Sequence, residues 1–216
     1  MSLSETLTHP STETSSGLLA EAVGGIATIV LAIIALSGTS ASFLLAVATI
    51  VFGAALLIEG TSIAADYAHL RASVPDVAFQ VGTGGLASVF LAGITGIILG
   101  ILALLGIAAA PLTSVAVIVF GSALLLSASA TLNLHALKAR VSGDLAASDM
   151  MSGAAGAQAL SGIAAIVLGI LAVAGTASAS LSLVALLVLG AGILMTGNGM
   201  NNAMLSMFHN PGTAAH

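Results

Sequence analysis

The chain has no cysteine and no tryptophan, one tyrosine, four prolines and three basic residues among 216. Without cysteine there is no disulfide framework, thiolate nucleophile or cysteine-based metal site, and the redox compartment cannot be inferred. The three bases, Arg71, Lys138 and Arg140, stand against eight acids for a formal net charge of -5. Such a chain presents no basic surface to nucleic acid or to anionic lipid, so nucleic acid is excluded as a partner. The aromatic belt usual at membrane interfaces is missing too. No zincin motif or nucleophile–base pair lies in the apolar runs, and the glycine-rich Gly82 to Gly85 lacks the lysine of a phosphate loop. We therefore expect no enzymatic activity, no cofactor and no metal.

What is present is apolar. Hydrophobic residues make up 58% of the chain and charged ones 5%, against roughly 25% charged in soluble domains. Mean hydropathy is +1.19. Apolar runs of about 20 residues, at 1.5 Å rise per residue, cross roughly 30 Å of hydrocarbon, and they lack the alternation of barrel strands. The expectation is an all-α integral membrane protein with six transmembrane helices in a lipid bilayer.

The runs repeat. GIATIVLAIIALSG from Gly25, GITGIILGILALLG from Gly93 and GIAAIVLGILAVAG from Gly162 are versions of one segment. Each is followed by a second apolar run with a glycine fifteen positions past the closing one: Gly38 then Gly53, Gly106 then Gly121, Gly175 then Gly190. Sliding residues 25–60 by 137 positions makes 18 of 36 pairs identical, where this composition gives roughly 4 by chance. The predicted unit is a helical hairpin, used three times.

In order, residues 1–18 are polar, lack the basic start of a signal peptide and read as a disordered tail. Hairpin one spans 19–65, a charged link 66–78, hairpin two 79–132, a second link 133–152, hairpin three 153–200, and a polar tail 201–216. Helix three, from about Phe79 to Leu105, reads as the longest, with an irregular or kinked start at Gly82 to Gly85. Pro111 suits the first turn of helix four. An even number of crossings puts both termini, both links and all three bases on one side, which the positive-inside rule makes cytoplasmic. The location expected is the inner (plasma) membrane.

Helices in lipid associate through close approach of small residues. The first helix of each hairpin carries such a ridge: Gly24, Thr28, Ala32; Ala92, Gly96, Gly100; Ser161, Ala165, Gly169. Three matching ridges point to first helices meeting near a pseudo-threefold axis. The second helices carry sparser small pairs, such as Ala48 and Ala55.

Glu21 and Glu59 are the two carboxylates inside apolar segments, and such groups are functional suspects. They lie about 18 and 19 residues from their shared turn, so an antiparallel hairpin brings them to one level. Their repeat equivalents are Val89 and Ser127, then Gln158 and Thr196. A cluster of Glu21, Glu59, Ser127, Gln158 and Thr196 is thus a candidate proton or cation site, since like charges at one level share a proton or cation. The simpler expectation is solvation, because about 27 Å from the turn is the membrane boundary. The five histidines fall in tails and links, off the repeat, and read as solvated.

The pattern Gly-Ile, two residues, Ile, one residue, Leu-Gly-Ile-Leu-Ala, Gly, followed by a second helix with a central glycine, resembles the HdeD-like acid-resistance membrane proteins over about residues 19–200. The resemblance implies three hairpins in the inner membrane and a role in acid or envelope stress, without catalytic residues to carry over. The chain departs from that family in lacking its aromatics and most of its turn prolines. Two other readings stand beside it. One is an accessory or anchoring subunit of a membrane complex, with homo-oligomeric or other subunit partners; the other is a proton- or cation-coupled carrier or channel using Glu21 and Glu59.

Overall fold

An apolar backbone away from water must satisfy its own N–H and C=O groups, and a helix does so within one segment. A computed structural model describes residues 11–38, 40–73, 83–142, 145–175 and 177–208, with side chains over 22–38, 40–61, 85, 87–129, 155–175 and 177–195. Six helices make up these residues: α1 Ser11–Leu36, α2 Ala41–Ser73, α3 Thr83–Leu104, α4 Ala109–Ser142, α5 Leu145–Val173 and α6 Ser178–Phe208. Five contain stretches long and apolar enough to cross a membrane: Ala41–Thr61, Ala87–Leu104, Ala109–Ser129, Ala155–Val173 and Ser178–Met195. The described apolar part of α1, Ala22–Leu36, is shorter.

Several expected boundaries move. Helix α1 opens at Ser11, inside the stretch read as a tail, and α6 runs to Phe208. Helices α2 and α4 run to Ser73 and Ser142, and α5 opens at Leu145, so most of both links is helical. The reason is propensity: alanines at 64, 65, 68 and 72 and at 136 and 139 favour helix, and charge alone does not stop one. Pro75 and Gly143, residue types of low helix propensity, follow in the sequence and lie outside the described residues. Among the described residues helix α3, expected to be the longest, is the shortest at 22 residues. It begins at Thr83, and positions 79–82 lie outside the described residues. Pro111 sits in the first turn of α4 as expected.

The turns after α1, α3 and α5 are near copies of one another. Gly38, Gly106 and Gly175 have φ of 92°, 78° and 92°. Each donates its N–H back to the helix it ends, to the Ala35, Ala103 and Ala172 carbonyls at 3.1, 3.1 and 3.2 Å. Two residues on, Ser40, Ala108 and Ala177 also have positive φ, at 46°, 44° and 45°. Their carbonyls accept from Leu44, Leu112 and Leu181 at 3.0, 3.2 and 3.0 Å and so start the next helix.

The packing corrects the expected centre. Helices α2, α4 and α6 touch one another, whereas among the described residues α1, α3 and α5 do not meet. Each of these outer helices instead lies against two inner ones: α1 on α2 and α6, α3 on α2 and α4, α5 on α4 and α6. Burial agrees, since the α2, α4 and α6 spans are each 44% buried against 33% and 28% for those of α3 and α5. The inner helices contribute large side chains to the core: Phe52, Leu56, Phe120, Leu124, Leu189 and Ile193 are fully buried. The Phe52 and Phe120 rings pack with centroids 4.8 Å apart at 56°.

The ridge residues do lie at helix contacts, but they face inner helices. A Cβ on Gly24 would fall 2.7 Å from the Ala55 Cβ, and one on Gly96 would overlap the Phe120 ring. Cβ atoms on Gly100 and Gly169 would stand 3.1 and 3.2 Å from the Ala46 and Ser114 carbonyls. Thr28, Ala32, Ala92 and Ala165 are buried, and Ser161 faces Gly192 closely enough that a Cβ there would meet its hydroxyl at 2.7 Å. On the opposite side the outer helices expose large aliphatics at helical spacing: Val23, Ile26, Val30 and Ile33; Leu91, Ile94, Ile98 and Ile101; Leu160, Ile163, Val167 and Ile170.

Candidate functional site: a buried polar layer

Glu59 lies on α2 seven residues, or two helical turns, past Phe52. The phenylalanine is in the core, and so is the carboxylate: Glu59 is only 7% exposed. Gln158 on α5 and Ser127 on α4 are buried beside the same end of the core, each 4% exposed. The Gln158 amide donates from Nε2 to Glu59 Oε1 at 3.1 Å. This bond bridges helices that are not neighbours, since among the described residues no Cα of α5 comes within 8 Å of one of α2. Two long side chains therefore meet inside the bundle where the backbones stay apart.

Three members of the sequence-derived cluster, Glu59, Ser127 and Gln158, are thus buried, and two of them are hydrogen-bonded to each other. The side chains of Glu21 and Thr196 lie outside the described residues, although their backbones are in α1 and α6. Val89, the apolar member of the set, is fully buried. The expected solvation of Glu59 is overturned. Counting from the turn puts it at the membrane boundary, but α2 and α4 continue past that level as helices, to Ser73 and Ser142, and Gln158 reaches it from α5. His69 and His135 fall in these helical extensions rather than in links, while His9, His209 and His216 lie outside the described residues. Among the described residues no three His, Asp or Glu groups gather as metal ligands would.

A second polar set lies towards the turns, and of its members only Thr28 belongs to a ridge expected from the sequence. Ser114 on α4 and Ser182 on α6 share a hydrogen bond of 3.0 Å, and both are fully buried. Thr28, Thr49 and Thr113 are fully buried as well. Most of these hydroxyls bond back to their own helices: Thr28 to the Gly24 carbonyl at 2.8 Å, Thr49 to Leu45 at 2.8 Å, Thr113 to Ala109 at 2.9 Å and Ser114 to Ala110 at 2.9 Å. Back-bonding of this kind satisfies a buried hydroxyl without any ligand. The sequence signal was a serine or threonine on an otherwise apolar face, which does not say which helix it meets.

Fold and layer together define a class: an all-helical bundle, apolar outside and in, five of whose helices are long and apolar enough to cross a membrane. Beyond that class, the chain matches no family model, no curated protein and no solved structure.

Proposed function

We propose that this is a non-catalytic integral protein of the inner (plasma) membrane. Three repeated hairpins make six crossings with pseudo-threefold packing, inner helices at the axis and both termini cytoplasmic. The observation that carries this reading is the distribution of bulk. Large aliphatics on α1, α3 and α5 point outward, while Phe52, Phe120 and Leu189 fill the centre without exposure. An outside as apolar as the inside is what lipid requires, because lipid tails, not water, are then the solvent. A centre packed with large side chains favours a structural role over a conduit. The HdeD-like resemblance supplies the physiological side of the proposal, a part in acid or envelope stress.

The chain's lack of cysteine makes the test direct. Single variants Ser37→Cys and Ala174→Cys, in two of the exposed turns, are expected to react with a membrane-impermeant maleimide on intact cells. Reaction only after the cells are broken would overturn the orientation. For the role, cells lacking the protein should survive acid shock less well than their parent, and equal survival would remove the stress assignment. Native mass spectrometry of the gently extracted protein should give a monomer or homo-oligomer. A stoichiometric complex with other subunits would move the reading to an anchoring subunit.

A further inference from the structure

The three turns share a backbone but not a surface. Their glycine and second left-handed residue recur with nearly the same φ, so side chains alone distinguish them. Residues 97–112, IILGILALLGIAAAPL, pass through the middle turn without one polar side chain. The equivalent stretch of hairpin one, 29–44, holds Ser37, Thr39, Ser40 and Ser42, and that of hairpin three, 166–181, holds Thr176, Ser178 and Ser180. Leu105 stands where the others have Ser37 and Ala174, and Ile107 where both have threonine. Phe43 is exposed beside the first turn, but Ser40 and Ser42 are exposed with it.

The apolar side chains of the middle turn are not folded inward. Leu105 is 69% exposed and Ile107 55%, and Leu104, Ala110 and Pro111 are exposed beside them. They also prolong the outward stripe of α3. Leu91, Ile94, Ile98 and Ile101 reach Leu105 at the next helical step, where the Leu105 N–H still donates to the Ile101 carbonyl at 3.0 Å. In α1 and α5 the same step lands on Ser37 and Ala174. A surface continuous with the lipid-facing stripe calls for the same solvent. A second copy of the chain fits less well, since a stable interface takes roughly 800 Å² per partner and one turn with a few large side chains falls short of it.

The backbone limits the depth. Irregular backbone facing hydrocarbon is costly wherever its polar groups lack partners. Leu105, Gly106 and Ile107 donate to the Ile101, Ala103 and Leu102 carbonyls, and Pro111 has no N–H to satisfy. A helix start still leaves N–H groups that need water or headgroup oxygens. The turn therefore suits the boundary between headgroups and acyl chains and nothing deeper.

We propose, on the membrane reading given above, that the middle turn, residues 104–111, is a lipid-binding surface seated in that boundary while the first and third turns stand in water. The pseudo-threefold axis is then tilted from the bilayer normal so that the turn of hairpin two sinks.

The test uses the full chain, which is free of cysteine. Ser37→Cys, Ile107→Cys and Ala174→Cys proteins are labelled in detergent with an environment-sensitive fluorophore and reconstituted into phosphatidylcholine vesicles. The probe at 107 should emit further to the blue than the other two, lose intensity when the acyl chains are brominated near the headgroup, and resist iodide supplied on both sides of the membrane. The probes at 37 and 174 should do the reverse. Leu105→Cys should behave as Ile107→Cys does, which covers a first variant that fails to fold. Iodide quenching at 105 and 107 equal to that at 37 and 174 would overturn the proposal. Protection from both quenchers would overturn it too, because protein and not lipid would then cover the turn. Flotation separates the two levels of inference: a protein that does not float with the vesicles refutes the membrane reading and the lipid surface together, whereas one that floats with all the probed turns quenched alike refutes the unequal depth alone.

Discussion

Ala108 and Ala177 occupy a backbone region that their side chains disfavour. At φ of 44° and 45° a Cβ crowds the following carbonyl, at a cost of about 1 kcal/mol or more. Neither alanine brings a compensating polar group, unlike Ser40 at the same place in the first turn. We expect Ala108→Gly and Ala177→Gly each to raise stability by about 1 kcal/mol, less the extra freedom that glycine gives the unfolded chain. The converse change, Gly38→Ala, should lower it by about 1–2 kcal/mol for backbone reasons alone, since a Cβ there would meet nothing within 4 Å. Thermal unfolding in one detergent would rank the four proteins, and an Ala108→Gly variant less stable than wild type would refute the strain. The sequence showed Gly38, Gly106 and Gly175 as turn glycines but gave no sign of the second left-handed residue. An alanine carries no mark of its φ, and only the recurrence of the turn reveals it.

Helix contacts are decided by backbone approach. Gly53 on α2 meets Gly93 on α3, Gly121 on α4 meets Gly162 on α5, and Gly190 on α6 meets Gly25 on α1. In the first two crossings a Cβ on either glycine would lie 2.6 to 2.8 Å from the facing glycine's carbonyl oxygen. A backbone oxygen cannot rotate away as a side chain can, so the helices must part. Gly121→Ala should therefore cost about 1–3 kcal/mol, the usual range for overpacking. Gly156→Ala is the control: a Cβ there meets nothing within 4 Å, and the helix should gain up to about 1 kcal/mol in propensity. If both variants unfold alike, close backbone approach is not what holds α4 to α5. The small-residue ridges told that the outer helices approach something closely, and that was legible. Which helices they approach was not, because a ridge has no address. The clue lay in the bulk of the inner helices, where Phe52, Phe120 and Leu189 need the axis for themselves, and in adjacent Gly24 and Gly25, which give α1 two small faces for two neighbours.

At the scale of the molecule, six helices and an apolar exterior could be read directly, because composition and run length answer to the thickness of a bilayer. The burial of Glu59 could not, since it depends on which side chains of other helices meet it, as Gln158 of α5 does, and a sequence position does not carry that. The order of contacts goes further than either. Helix α6 packs on α1 as α2 packs on α3 and α4 on α5, yet no chain segment links the first helix to the last. That crossing is also the looser one, with 3.1 and 3.2 Å between each built Cβ and the facing carbonyl. If contacts rather than chain order hold the bundle together, the break in the chain can be moved. A circular permutant, with its old termini joined by a flexible linker and new ones opened between α2 and α3, should fold to the same six-helix bundle. Both of its termini then stay on the side proposed for the native ones, and linker length matters little, each doubling adding about 0.6 kcal/mol. The expected result is a monomer of near-native stability in which Gly190→Ala, now within a covalently linked pair, is tolerated better than in the native order. A permutant that is degraded or aggregates, while the uncut protein carrying the same linker as a tail does not, would mean that the α2-to-α3 connection is itself needed for folding.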